Sequence, residues 1–173
     1  MLHRYETQGA EIYRQSFATI RREAELSRFT AVEERVVVRM IHAAGMVELA
    51  PLVAFSPGMA DAARQALQDG APVLCDVRMV SEGITRTRLP ARNPIVCTLQ
   101  DSQVPALAQQ LGTTRSAAAV ELWRPQLQGA VVAIGNAPTA LFHLLNMLQE
   151  PGCPRPAAII GCPVGLIGAA ESK

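Results

Sequence analysis

Lysine, aromatic side chains and long apolar runs are scarce in this chain of 173 residues. Lys173 is the only lysine among the 16 Lys+Arg residues, so nearly every cation is an arginine, the planar side chain that binds carboxylates and phosphates in a fork. Codon bias in a GC-rich genome would produce the same excess. Aromatic residues make up 4% of the chain, so its core must be aliphatic. The formal net charge of +1 excludes a global field that would attract nucleic acid or an anionic membrane.

Membrane, secretory and metal-binding signals are missing as well. No apolar run reaches the roughly 20 residues of a membrane span, and the N-terminus lacks the apolar centre of a signal peptide. We therefore expect a cytoplasmic protein with no membrane partner. The 4 cysteines are widely spaced and form no C-x-x-C pair, which predicts buried free thiols in a reducing compartment. The Cys and His spacings fit no zinc pattern, so we expect no metal site.

Two amphipathic helices are predicted in the first third of the chain. The apolar residues of the first recur at helical spacing, at Tyr13, Phe17, Ile20 and Ala24. The second helix begins at Thr30, because Thr30 and Glu33 form a capping box, and it ends at Gly45. Its predicted apolar stripe consists of Val32, Val36, Met40 and Ala44.

Short apolar runs alternate with helical segments in the rest of the chain. The candidate strands are residues 47–55, 72–77, 94–99, 130–134 and 157–160. All but the first are nearly continuous apolar runs, which is typical of strands buried on both faces. Helices are predicted after Ser56 as N-cap and up to Gly70, at 102–111, at 114–122, and at 138–149 after Asn136 as N-cap.

This alternation predicts βαβ units, and so a three-layer α/β/α sandwich with a sheet of about five parallel strands. No linker or repeat interrupts the pattern, so we expect residues 1–173 to form a single domain. Ligands of such folds bind at the carboxyl ends of the strands. The turns that follow Val77, Leu99, Ile134 and Ile160 are therefore the expected place for chemistry.

His42 is the candidate catalytic residue among the 3 histidines. It lies at the end of the second helix, where the helix dipole favours an imidazolium, a suitable proton donor. Arg39 lies one turn earlier on nearly the same face, so the pair could hold an anion and protonate it. A capping histidine and an exposed, charge-paired arginine are the structural alternatives. His143, among leucines in a predicted helix, is expected to be a packing or surface residue.

Several turns at predicted strand ends offer donors to a multiply charged anion. Segment 76–92 is rich in arginine, and Arg115-Ser116 opens an alanine-rich helix, where backbone N–H groups would add to the side chains. Turns 135–139 and 161–165 are of the same type. None of them is a G-x-G-x-x-G or Walker loop, and no G-x-S-x-G elbow occurs. A solvated basic loop is the alternative for segment 76–92.

The chain resembles the precorrin-8X methylmutase (precorrin isomerase) family in collinear segments that span essentially its whole length. The matching segments are IYRQSF at 12–17, RMIHAAG at 39–45, FSP at 55–57, PVLCD at 72–76, MV at 79–80, GITR at 83–86, TRSAAA at 114–119, VVAIGNAPTALF at 131–142, PVG at 163–165 and GAAESK at 168–173.

This resemblance implies a flavodoxin-like fold and an isomerase of cobalamin biosynthesis. It implies that a methyl group moves from C-11 to C-12 of precorrin-8X to give hydrogenobyrinate, without a cofactor. His42 matches the family's proton donor, and Ser16 and Arg39 match positions that contact substrate. Arg115 and Ser116 match a further signature, which we place in the substrate pocket. Family members are homodimers with the pocket near the interface.

The resemblance leaves some points open. The family pattern normally continues beyond Glu171-Ser172-Lys173 with a segment rich in Gly, Ser and Ala, so we expect that this segment is absent here, through a shortened sequence or a shorter homologue. A non-catalytic tetrapyrrole carrier or pathway-interaction module would fit such a chain, and a nucleotide-binding flavodoxin-like domain is a third reading. The stretch from His42 to Glu48 resembles the cobalt-free type of the family, although the sequence does not fix whether the substrate contains cobalt.

Overall fold

The described part of the chain, residues 3–173 of a computed structural model, falls into two compact units. One comprises the residues up to Ala60 and the other begins at Asp61. The expectation of a single domain over the whole length stays a prediction. No helix of the described residues is long and apolar enough to cross a bilayer.

The first unit contains helices α1 (Gly9–Glu23) and α2 (Ala31–Ala44), as predicted. The Thr30 capping box is present, since the Thr30 hydroxyl accepts from the Glu33 N–H at 3.4 Å and the Glu33 carboxylate accepts from the Thr30 N–H at 2.9 Å. Gly45 ends α2 with a φ of 68°, a conformation that costs glycine little. The core of this unit consists of Ile20, Val37, Val38, Ile41 and Ala50.

The predicted apolar stripe of α2 is wrong. The fully buried face contains Val37, Val38 and Ile41, whereas Val36 of the expected stripe is 40% exposed. The run of valines at 36–38 gives α2 two overlapping apolar stripes, and spacing alone cannot predict which of the two is buried. Packing against α1 and the segment after α2 decides which one is buried.

The predicted strand at 47–55 is also wrong, because a 3-10 helix occupies Val47–Leu52. Pro51 lacks the N–H that a strand would contribute to a ladder. The carbonyl groups of Ala50 and Val53 accept hydrogen bonds from the Arg28 guanidinium at 2.8 and 2.5 Å. Two backbone carbonyl groups of this segment are thus hydrogen-bonded to a side chain rather than to a neighbouring strand.

The second unit contains a parallel four-stranded sheet of β1 (Val73–Cys75), β2 (Ile95–Val96), β3 (Val131–Ile134) and β4 (Ala158–Gly161). The order is β2-β1-β3-β4, which is that of the first four strands of a flavodoxin-like sheet. Three of these strands fall within predicted ones, and β4 overlaps the predicted strand at 157–160 but ends one residue later, so the α/β fold is confirmed. The expected count of about five included the segment at 47–55 that is not a strand.

The longer helices are α3 (Met59–Gln68), α4 (Arg78–Gly83), α5 (Val104–Leu111), α6 (Arg115–Glu121) and α7 (Pro138–Met147). Short 3-10 segments lie at Arg86–Arg88 and Arg124–Gln126. The segment at 76–92, expected to be a loop, is thus partly helical. Helices α6 and α7 pack on the sheet through a core around Leu74, Val132 and Leu144, which is aliphatic except for Trp123.

Two predicted helix starts are corrected. Helix α3 begins at Met59 rather than directly after Ser56, because Gly58 turns the chain with a φ of 75°. Asn136 does not cap α7, whose N-cap position is Ala137 and makes no side-chain cap. Another residue, Asp76, accepts from the N–H groups at this turn.

Candidate active site

His42 lies in the last turn of α2 and is held by a hydroxyl group from α1. Its Nδ1 atom is 2.7 Å from the Ser16 Oγ, a part-buried contact between residues 26 positions apart. The side chains of both residues are half-buried. The contact fixes the ring and leaves Nε2 as the nitrogen free for another partner, since Nε2 makes no hydrogen bond within residues 3–173.

Two aromatic rings of α1 enclose the imidazole of His42. The Tyr13 ring lies with its centroid at 4.9 Å and a tilt of 35°, and the Phe17 ring meets the imidazole edge-on at 5.3 Å and 85°. Sequence reasoning placed both residues in a packing stripe and missed this role. Their spacing around Ser16, which puts 13, 16 and 17 on one helix face, was the available signal.

Arg39 belongs to the same cluster. Its guanidinium carbon lies 5.5 Å from the centroid of the Phe17 ring, within cation–π range. The side chain is exposed and forms no ion pair with any other described residue. The structure therefore brings Ser16, Arg39 and His42 together in the first unit, with a positive charge that lacks an ion-pair partner among the described residues.

Arg115 and Ser116 lie in the second unit, in the first turn of α6. Thr114 is the N-cap of this helix, and its hydroxyl accepts from the Ala117 N–H at 3.2 Å. Arg115 is exposed and, like Arg39, pairs with no carboxylate in the described part of the chain. Its guanidinium is available for an anionic ligand.

The turn after β3 holds a carboxylate of the protein itself. Asp76, only 2% exposed, accepts hydrogen bonds from the N–H groups of Gly135, Asn136 and Ala137 at 3.0, 3.0 and 2.8 Å. Sequence reasoning treated this turn as an anion site and missed that Asp76, next to the neighbouring strand β1, would fill it.

Other polar groups have structural roles. His143 Nε2 donates to the Glu121 carboxylate at 2.7 Å, and Arg124 bridges Glu121 at 2.6 Å and Glu150 at 2.8 Å. Burial alone would raise the pKa of Glu121, but hydrogen bonds from Arg124 and His143 outweigh it and lower that pKa. These contacts tie α6 to α7, in agreement with the packing role expected of His143.

The cysteines are free thiols, as predicted, but only Cys75 is buried. Cys97 and Cys153 are half-buried and Cys162 is exposed, so the predicted burial is wrong for these three. All 4 are unpaired, and burial, followed by the nearby Cys97 and Asp76, raises the pKa of Cys75 to about 12. Cys75 is thus a neutral, unreactive thiol near pH 7. Within residues 3–173 no group of three or more His, Cys, Asp or Glu side chains is placed to hold a metal ion.

Comparison with known proteins identifies relatives over nearly the whole chain. The precorrin-8X methylmutase family matches residues 11–173. A precorrin-8X methylmutase from Pseudomonas aeruginosa is 59% identical over 169 residues, covering 98% of this chain and 81% of that protein. A cobalt-precorrin-8 methylmutase from Priestia megaterium is 35% identical over 96% of this chain and 74% of that protein.

The fold is shared with a solved structure. The crystal structure of precorrin-8X methyl mutase from Thermus thermophilus has a TM-score of 0.83 to this chain at 38% identity, covering 95% of this chain and 79% of that one. Shared fold and sequence over this length define an isomerase of cobalamin biosynthesis. More specifically, the chain belongs to the precorrin-8X methylmutase family.

Proposed function

We propose that this protein converts precorrin-8X to hydrogenobyrinate by moving the methyl group from C-11 to C-12 of the macrocycle, with His42 as the proton donor. The observation that carries the proposal is the position of His42, whose Nδ1 is held by Ser16 at 2.7 Å between the rings of Tyr13 and Phe17. The migrating group stays within one molecule, so the protein needs only to bind the ring and deliver a proton.

The hydrogen bond to Ser16 suits a donor that acts through Nε2. In the imidazolium both nitrogens carry protons, and the Nδ1–H donates to the Ser16 Oγ. When Nε2 gives its proton to the substrate, Nδ1 keeps its proton and the same hydrogen bond persists. The ring therefore need not turn during the reaction, which is the preorganisation that lowers a barrier.

Arginines would hold the carboxylates at the edge of the macrocycle. Arg39, beside His42, and Arg115 are both exposed and without an ion-pair partner in the part of the chain described. A guanidinium binds a carboxylate through two parallel hydrogen bonds. We assign Ser16, Arg39, Arg115 and Ser116 to substrate binding. No cofactor is needed in this scheme.

Substitution of His42 tests the mechanism. In His42→Ala we expect the change in visible spectrum from precorrin-8X to hydrogenobyrinate to disappear, while the circular dichroism and the dissociation constant for precorrin-8X change little. His3→Ala, a substitution at an exposed histidine outside the cluster, is the matched control and should convert substrate at the wild-type rate. Full turnover by His42→Ala would remove His42 from the proposal.

The assembly, location and exact substrate are also proposals. Exposed apolar side chains on the two helices that carry the His42 cluster, namely Ile12, Tyr13 and Val36 at 45%, 45% and 40%, support a homodimer with the pocket near its interface. Light scattering of the purified protein would give its mass. The higher identity to the precorrin-8X enzyme than to the cobalt-precorrin-8 enzyme supports a cobalt-free substrate of the aerobic-type pathway. A cytoplasmic location stays a proposal from the sequence. Parallel assays with the two substrates would decide.

A further inference from the structure

We infer that Asp76 is a positioning residue: its carboxylate fills the N–H cradle at the start of α7 and, through that turn, fixes the start of α6, where Arg115 and Ser116 lie. The inference rests on the proposed role of those two residues in binding substrate. It assigns to Asp76 a function that neither the family resemblance nor the site around His42 contains.

The contacts of Asp76 are complete and buried. It directly follows β1, and its own N–H donates to the Ala133 carbonyl of β3 at 3.3 Å. Oδ1 accepts from Gly135 at 3.0 Å, and Oδ2 accepts from Asn136 at 3.0 Å and Ala137 at 2.8 Å. With 2% exposure, these bonds face little competition from water. Asp76 therefore joins the carboxyl ends of the two central strands.

A carboxylate is required here rather than any polar group. Three N–H groups converge on two oxygens, and only an ionised carboxyl presents two oxygens that both accept. The positive end of the α7 dipole adds to the attraction. Because the three N–H groups are already bonded, the cradle has no donors left for an anion from outside. An anionic ligand at this turn would therefore have to be bound by side chains.

A second contact connects the first turn of α7 to the start of α6. Thr139, in the first turn of α7, has its Oγ1 2.9 Å from the Oγ1 of Thr114. Thr114 in turn accepts from the Ala117 N–H and directly precedes Arg115 and Ser116. The position of the α7 turn thus sets the position of the first turn of α6.

The close approach of Gly135 keeps the turn in one place. A Cβ atom at residue 135 would lie 2.7 Å from the Cγ2 of Val80, closer than real contacts allow. Val80 belongs to α4, which follows Asp76 in the chain. The turn is therefore held by Asp76 through hydrogen bonds and by α4 through contact, and loss of the carboxylate would release only the first of these.

Steady-state kinetics of Asp76→Asn test the inference. An amide has a single acceptor oxygen and would place its NH2 against backbone donors, so we expect KM for precorrin-8X to rise about tenfold, the scale of one weakened charged contact, with kcat within about threefold of wild type. Leu127→Ala, a fully buried core residue away from the turn, is the control for general destabilisation and should leave KM unchanged. An unchanged KM in Asp76→Asn would overturn the inference.

A double-mutant cycle shows whether Asp76 acts through Arg115. If it does, Asp76→Asn should add little to the KM of Arg115→Gln, because the positioned side chain is already gone. Thr139→Val, which cuts the link between the two helices, should reproduce part of the KM effect. Strictly additive effects of Asp76→Asn and Arg115→Gln would show that Asp76 does not act through Arg115.

Chemical rescue separates this inference from the proposed function. Asp76→Ala empties the cradle, so formate should raise its melting temperature more than chloride at equal ionic strength, whereas wild type should respond equally to both. Amide exchange at Gly135, Asn136 and Ala137 should be faster in Asp76→Asn than in wild type. If wild type fails to convert precorrin-8X, the proposed function fails, while rescue and exchange still decide the role of the cradle. Absence of both effects would show that the carboxylate does not hold the turn.

Discussion

Replacing Ser16 by alanine removes the hydroxyl that lies 2.7 Å from Nδ1 of His42. Two roles for Ser16 make different predictions here. If it orients His42, the loss appears in kcat, because the proton donor no longer points at the substrate. If it contacts only the substrate, as the family resemblance implies, the loss appears in KM. The hydrogen bond supports an orienting role in addition to the proposed substrate contact, so we predict a fall in kcat.

The size of the effect follows from the kind of hydrogen bond. A hydrogen bond to a charged group contributes about 1.5–3 kcal/mol, and both partners are half-buried, so water partly replaces the lost hydroxyl. The lower end of that range is therefore appropriate. Since about 1.4 kcal/mol corresponds to a factor of ten in rate, kcat should fall about tenfold. The rings of Tyr13 and Phe17 still confine the imidazole, which prevents a larger loss.

Single-turnover conversion of precorrin-8X, followed in the visible spectrum, measures this directly. Ser16→Thr keeps a hydroxyl and should recover much of the rate, and Thr19→Ala removes a hydroxyl from the same helix as a control. Nitrogen-15 NMR of the ring should show a change at Nδ1 in Ser16→Ala alone. A variant with wild-type kcat and raised KM would refute the orienting role and assign Ser16 to the substrate.

Two further predictions concern stability. Burial raises the pKa of Glu121, but the hydrogen bonds from Arg124 and His143 together outweigh it, so the folded-state pKa is lowered. The stabilisation from Glu121 should therefore be present above the unfolded-state pKa and lost as pH falls through the folded-state pKa. Melting temperature should thus fall less steeply in acid for Glu121→Gln, and an equal slope would contradict this. Gly135→Ala should lower the free energy of unfolding by about 1–3 kcal/mol through the clash with Val80. Val80→Ala should offset that loss, which equilibrium denaturation of the double variant would measure, and a purely additive double variant would argue against the clash.

Local chemistry made several elements readable from the sequence. The capping box at Thr30, the glycine at 45 and the continuous apolar strands act over a few neighbours, so their consequences can be derived without knowing the fold. The strand predicted at 47–55 was wrong because the deciding contact is not local. The apolar pattern could not reveal that Arg28 would donate to the carbonyl groups of Ala50 and Val53. The buried face of α2 was undecidable locally, because both stripes are apolar.

The sequence by itself determined the class of fold, the helix that carries His42 and the family to which the chain belongs. Only the tertiary structure decided which side chains and N–H groups contact His42 and Asp76. The contact between Ser16 and His42 joins residues 26 positions apart, and Asp76 reaches N–H groups 59 to 61 positions away. Such contacts depend on how whole helices and strands are brought together, and no local pattern records them. The sequence therefore could not distinguish Asp76 from any other aspartate, because its role depends on three N–H donors that only the fold brings around it.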